Sequence, residues 1–155
     1  MTQVTQPRYA RRPMSRAAPA ERAGVQTGSG MALCVLGALS LLAMGAVHLH
    51  EFFAEYYRVV PIIGPLFALN FAGATAIGLL LLRPFWRNRA IDSLLALGGI
   101  AMAVCSIVFL LVSEHRAIFG FVEYGYRPAI LVSLAAEAAT TVFLGGYLEM
   151  LLRRR

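Results

Sequence analysis

The sequence predicts an all-α membrane protein, a four-transmembrane-helix up-down-up-down bundle, and three observations predict it. First, the 155 residues are 59% hydrophobic and 14% charged, with a mean hydropathy of +0.68. Soluble domains run at roughly 45–50% apolar and about 25% charged, and a chain this short cannot hide so much apolar surface in a water-facing fold. Second, four apolar runs at about 29–50, 60–82, 91–113 and 129–152 each have the roughly 20 residues that cross about 30 Å of hydrocarbon. Third, all fourteen basic residues are arginine, and eleven fall in the N-terminal tail, the 83–90 connection and the C-terminus. Helices follow from the solvent: hydrocarbon offers backbone groups no water, and four spans are too few to close a barrel.

Residues 1–28 carry Pro7, Pro13 and Pro19, with Arg8, Arg11, Arg12, Arg16 and Arg22 against Glu21 alone. Such a segment cannot bury enough surface to fold and is expected to be a disordered, arginine-rich cytoplasmic tail, leaving 29–155 as the transmembrane domain. The apolar run behind it is too long for a secretory signal and lacks a small-residue cleavage site, so it is read as a retained anchor. Span one is expected to continue as helix to about Tyr57. Pro61, Gly64 and Pro65 shape the entry to span two, where proline is tolerated in a first turn. Only Arg58 lies in the 51–59 connection, and only Arg116 and Arg127 precede span four. The arginine bias therefore puts both termini in the cytoplasm, and the even number of spans agrees.

Aromatic residues gather where the headgroups lie. Phe52, Phe53, Tyr56 and Tyr57 follow span one, Phe119, Phe121, Tyr124 and Tyr126 precede span four, and Phe85 and Trp86 mark the inner face. Small residues recur at helical spacing, as Ala68, Ala72 and Ala76, Gly73 and Ala74, and Ala136 and Thr140, and let helices approach within the bundle. The two cysteines, Cys34 and Cys105, form no CxxC motif. They lie about 10–15 Å apart in depth at 1.5 Å per residue, too far for a disulfide, and both read as packing residues.

The net charge of +6 is not a nucleic-acid footprint, because it lies in tails and connections rather than along one face. The expected surroundings are a lipid bilayer, with other membrane proteins or a second copy as partners and no nucleic acid. The lysine-free, alanine-rich usage suggests a bacterium with a GC-rich genome, and the expected location is its cytoplasmic membrane.

Polar side chains inside spans are costly and are functional candidates by default. Glu137 lies roughly 12 Å below the outer boundary of span four at 1.5 Å per residue. Ser133, Thr140 and Thr141 stand at i−4, i+3 and i+4 from it and share its face. Asn70 lies roughly 15 Å into span two by the same rise, so Asn70 and Glu137 can meet at one level. The competing structural reading is an interhelical hydrogen bond that holds the bundle together. A second cluster is expected at the outer face. His48, Glu51 and Glu55 follow one face at the end of span one, and His115 with Glu114 ends span three.

Histidine with carboxylates can bind a divalent metal, which makes His48 and Glu51 the candidate ligands. His48 and His50, however, project about 200° apart on a helix, and no HxxxH or HExxH pattern is present. No metal, haem or other cofactor is predicted from this pattern. GxSxG, Walker, dinucleotide and CxxC motifs are all absent, and no constellation argues for an enzyme.

Val47-His48-Leu49, Tyr57-Arg58, the run through Pro61, Ile63-Gly64, Leu66-Phe67 and Leu69-Asn70, then Gly120-Phe121 and Glu137 resemble a group of small four-helix membrane proteins common in actinobacteria. The likeness covers about 31–150 and implies a shared fold in which His48, Asn70 and Glu137 belong together. DoxX-like proteins have a similar four-span layout without a motif match. Small multidrug transporters carry a membrane glutamate in the first span, whereas Glu137 is in the fourth. The leading expectation is a non-enzymatic accessory or interaction protein of the membrane. The first alternative is binding or transport of a small molecule, proton or quinone at Asn70 and Glu137. The second is a metal- or haem-linked redox component at the outer face.

Overall fold

The structure is a computed structural model that describes residues 19–55, 57–83, 88–123, 125 and 127–153, with side chains from residue 28 onward. Among these are four helices: α1 Pro19–Ala54, α2 Ile63–Leu82, α3 Arg89–Ser113 and α4 Pro128–Arg153. All four are long and apolar enough to cross a membrane, and the chain is a multi-pass membrane protein with a helical-bundle fold. The α2–α3 connection lies at the same end as the start of α1 and the end of α4, called here the terminal end. The α1–α2 and α3–α4 connections lie at the distal end.

Three boundaries differ from expectation. Helix α1 starts at Pro19, inside the tail expected to be disordered; residues 19–28 continue a helix that the long apolar run already holds, and proline suits a first turn. The rest of that tail, 1–18, lies outside the described residues, as do Phe85, Trp86, Tyr56, Tyr124 and Tyr126. Helix α1 ends at Ala54 rather than near Tyr57, and Tyr57–Val59 form a separate 3-10 turn. Span two begins at Ile63, three residues later than expected, behind Ile62 at φ +69°. A β-branched residue there is strained.

The helices form a ring in which α1 packs closely on α2 and α4, and α4 on α3, while α2 and α3 touch least of the neighbouring pairs. The terminal half is tight. Cys34, Ala38, Leu81, Ala96, Leu144 and Tyr147 make one buried cluster. A Cβ on Gly99 would sit 2.7 Å from Leu144, and one on Gly37 would overlap it, so two bare backbones receive one leucine. Leu41, Met44, Ala74, Ala103 and Ala136 fill the middle. Ala74, Ala136 and Thr140 face inward, but Ala72 and Ala76 are exposed, so that part of the small-residue pattern faces outward. Cys34 is buried, and its thiol donates to the Leu81 carbonyl at 3.6 Å. Cys105 is exposed, which corrects its reading as a packing residue.

A clasp at the terminal end fixes how α2, α3 and α4 meet. Asp92, 3% exposed, accepts from Arg83 at 2.6 Å and from the Tyr147 hydroxyl at 3.3 Å. It sits in the first turn of α3, whose N-terminus Asn88 caps by accepting from the amides of Ala90 and Ile91. A carboxylate is favoured there by the helix dipole.

Candidate functional site: a hollow in the distal half

Where α2 and α3 separate, the distal half of the bundle encloses a cavity of about 440 Å³. Its floor is the Met102 level and its walls come from all four helices. Exposed Leu66 and Leu69 on α2 and Cys105 on α3 edge it, so it opens sideways between those helices. The lining is mainly apolar, with His48, Asn70, Ser106, Ser133 and Glu137 as polar groups within the spans.

Each helix supplies its group at a similar depth. Glu137 is 2% exposed, and Ser133, one turn earlier on α4, donates to its Oε1 at 3.2 Å. Ser106 on α3 lies 3.2 Å from His48 Nε2 on α1 and lines the same cavity as Glu137. His48 Nδ1 is 2.9 Å from the Met44 carbonyl oxygen. A carbonyl only accepts, so Nδ1 carries a proton and Nε2 is the nitrogen turned to Ser106. The imidazole also lies against Phe67, with centroids 5.1 Å apart. Asn70 on α2 faces the cavity, and its Oδ1 is buried without a hydrogen-bond partner.

Of the residues expected from the sequence, the structure brings His48, Asn70, Ser133 and Glu137 to one cavity, with Glu51 in its roof. Thr140 is buried outside the lining, with its hydroxyl oxygen unpartnered, and Thr141 donates to the Glu137 backbone carbonyl. The expected outer cluster divides. His48 turns into the cavity. Exposed His115 instead places Nδ1 2.9 Å from the Leu111 carbonyl. Glu51 and Glu55 join a different group at the distal end. Among the described residues, no three His, Cys, Asp or Glu side chains converge on a metal position.

That distal group roofs the cavity. Arg127, just before α4, pairs with Glu55 at 2.7 Å, Glu51 at 3.0 Å and Glu123 at 3.5 Å. The Glu51 contact is close in charge but not aligned as a hydrogen bond. Arg127 also donates to the Tyr57 hydroxyl at 2.8 Å, and that hydroxyl donates to Glu123 at 2.5 Å. Burial, and then the bond to the Glu123 carboxylate, hold the Tyr57 phenol well above its ordinary pKa. The Tyr57 ring stacks on Phe67 at 4.6 Å and meets Phe121 edge-on at 5.4 Å. Gly64 makes this possible: a Cβ there would lie 2.7 Å from the Tyr57 carbonyl oxygen, so only a bare α2 start lets the turn close.

Comparison with protein-family models, with curated proteins and with solved structures finds no match to this chain. Its chemistry therefore rests on its own geometry.

Ser106, Tyr57, Glu123, Arg127 and Asp92 were not singled out as site residues from the sequence. Ser106 was within reach: it lies seven residues before the end of α3, roughly 10 Å deep at 1.5 Å per residue, the level found for Glu137. The Tyr57–Glu123–Arg127 group joins two connections and has no periodicity that announces it.

Proposed function

We propose that this chain binds a small amphipathic molecule in the distal half of the bundle, taken up sideways from the bilayer between α2 and α3. The observation that carries the reading is the cavity itself. Its 440 Å³ lies within the roughly 300–1,000 Å³ of small-molecule sites, which are mostly apolar with a few convergent polar groups. A sheltered carboxyl, a histidine and an unpartnered amide oxygen are expensive to maintain in lipid. A bundle held together only by glue would close around them, as the terminal half closes around Leu144. Positive-inside counting supports placing the cavity in the outer leaflet half, with the termini cytoplasmic.

The test is mild-detergent purification with mass spectrometry of what stays bound, on the wild type and on Ser133→Phe, whose ring would occupy the cavity. A small molecule at near-equal stoichiometry in the wild type, and absent from a folded Ser133→Phe, supports binding. A membrane protein retained equally by both, with no small molecule in either, would instead support an accessory subunit.

A further inference from the structure

Charge balance sets how many protons His48 and Glu137 hold between them. His48 Nδ1 carries a proton toward the Met44 carbonyl, and its Nε2 lies 3.2 Å from the Ser106 hydroxyl. Glu137 is 2% exposed and lines the same cavity. One proton beyond Nδ1–H, on the carboxyl or on Nε2, leaves the two side chains with zero net charge. Without it they carry −1, and with a second they carry +1. Net charge in a low-dielectric site is disfavoured, so the empty cavity keeps one proton between His48 and Glu137.

The rest of the lining says which occupant could release it. Besides His48, the ionisable side chains around the cavity are Glu51, Glu123, Tyr57 and Cys105, and no arginine lines it. Toward Glu137, α1 presents His48 and Glu51, α2 presents uncharged Asn70, and α3 presents Ser106 and Cys105; the connections add Tyr57 and Glu123. At the roof, Glu51, Glu55 and Glu123 surround the single guanidinium of Arg127, so carboxyl groups outnumber the guanidinium there. Phe67, Tyr57 and Phe121 border the same space; Tyr57 is stacked on Phe67 and lies under Arg127, so these rings supply an apolar wall. Asn70 Oδ1 adds an open acceptor.

We infer that the occupant is a lipophilic cation, such as a protonated or quaternary amine, bound in exchange for the proton shared by Glu137 and His48. The inference rests on the cavity being a ligand site. The exchange balances: the cation enters with +1, the one proton held between Glu137 and His48 leaves for water at the distal end, and the site stays neutral with Glu137 as carboxylate and His48 neutral. A neutral occupant leaves the proton in place, and an anion meets the carboxyl groups of Glu51, Glu123 and Glu137 with no arginine in the lining.

The test uses the purified full chain in zwitterionic nanodiscs, with tetraphenylphosphonium and its near-isosteric opposite, tetraphenylborate. Expected are saturable binding of the cation and none of the borate. About one proton should be released per cation bound in weakly buffered solution, and affinity should rise roughly tenfold per pH unit wherever that proton is still held. Glu137→Gln, which keeps the Ser133 hydrogen bond, should release no proton and lose cation affinity. The wild-type stoichiometry decides the matter even if that variant fails to accumulate. Equal binding of the borate, cation binding without proton release, or no cation binding would overturn the inference. A neutral molecule that co-purifies and is lost in Ser133→Phe would overturn it while leaving the cavity a ligand site. An empty cavity with no bound molecule of any kind would remove both.

Discussion

Replacing Leu144 with alanine tests whether the terminal half is the sealed plug beneath the cavity. Leu144 has no exposed surface and lies between the bare backbones of Gly37 and Gly99. In a water-soluble core, a Leu→Ala change costs about 2.7–5 kcal/mol, combining lost transfer from water with a residual hole. In a bilayer the first part falls away, because the separated helix keeps its leucine in lipid that is as apolar as the core. The hole remains. At about 24 cal/mol per Å³ over roughly 80 Å³ of deleted side chain, it is worth about 2 kcal/mol at most. Little can collapse into it, since its two nearest walls are glycines. Leu94, 69% exposed on α3, is the control and should show no measurable change. Reversible unfolding in mixed micelles or by steric trapping in bicelles gives both numbers. If Leu94→Ala costs as much as Leu144→Ala, the loss does not come from a hole between Gly37 and Gly99, and the sealed-plug argument fails.

Three further outcomes follow from the same geometry. Gly64→Ala puts a methyl against the Tyr57 carbonyl and should cost about 1–3 kcal/mol through overpacking; it should also lower the alkaline titration of Tyr57 toward an ordinary phenol, read by phenolate absorbance against Tyr57→Phe. Because the folded-state pKa of Tyr57 is raised, its stabilisation is complete below the unfolded value of about 10 and is lost as pH rises beyond it; wild type should therefore lose stability in alkali more steeply than Tyr57→Phe, and parallel curves would contradict the assignment. Arg83→Ala strips the cation from buried Asp92 and should cost roughly 2–3 kcal/mol, below the usual 3–5 because Tyr147 and the α3 N-terminus still support the carboxylate, and adding Asp92→Asn should recover part of the loss.

The fold was legible because a bilayer leaves so few solutions. Once four runs reach spanning length, hydrogen-bond satisfaction forces helices, and all four form. The ends were less legible. A helix start at Pro19 depends on what a long apolar run can hold in register, and the break after Ala54 depends on Gly64 across the α1–α2 connection. Depth arithmetic brought Asn70 and Glu137 to one level, since rise per residue is fixed. It could not say whether they touch. They share a cavity with no hydrogen bond between them, because α2 and α4 are not neighbours in the ring, and which helices pack together is not written in either span. His48 was expected at the outer face with Glu51 and Glu55. A shift of one turn in where the helix leaves the membrane is enough to turn it into the bundle, and the sequence does not mark that turn.

The two ends of this bundle solve the same problem in opposite ways. At the terminal end, Asp92 meets Arg83, so a buried negative charge has a fixed positive partner from the protein itself. In the distal hollow, no arginine lines the space around Glu137, and the basic side chain that does is His48, with Ser106 beside it. An arginine would make a permanent pair and leave nothing for a ligand to displace. A histidine and a hydroxyl make a pair whose charge can be dissolved by moving one proton, and the chain needs no rearrangement of its helices to do it. The choice of partner for each buried carboxyl thus separates a clasp from a site. The same contrast predicts that introducing arginine at Ser106 would convert the second into the first: Ser106→Arg should be tolerated by Glu137 as an ion pair and should abolish both tetraphenylphosphonium binding and proton release. Retained cation binding in that variant would show that Glu137 is not where the cation's charge is met.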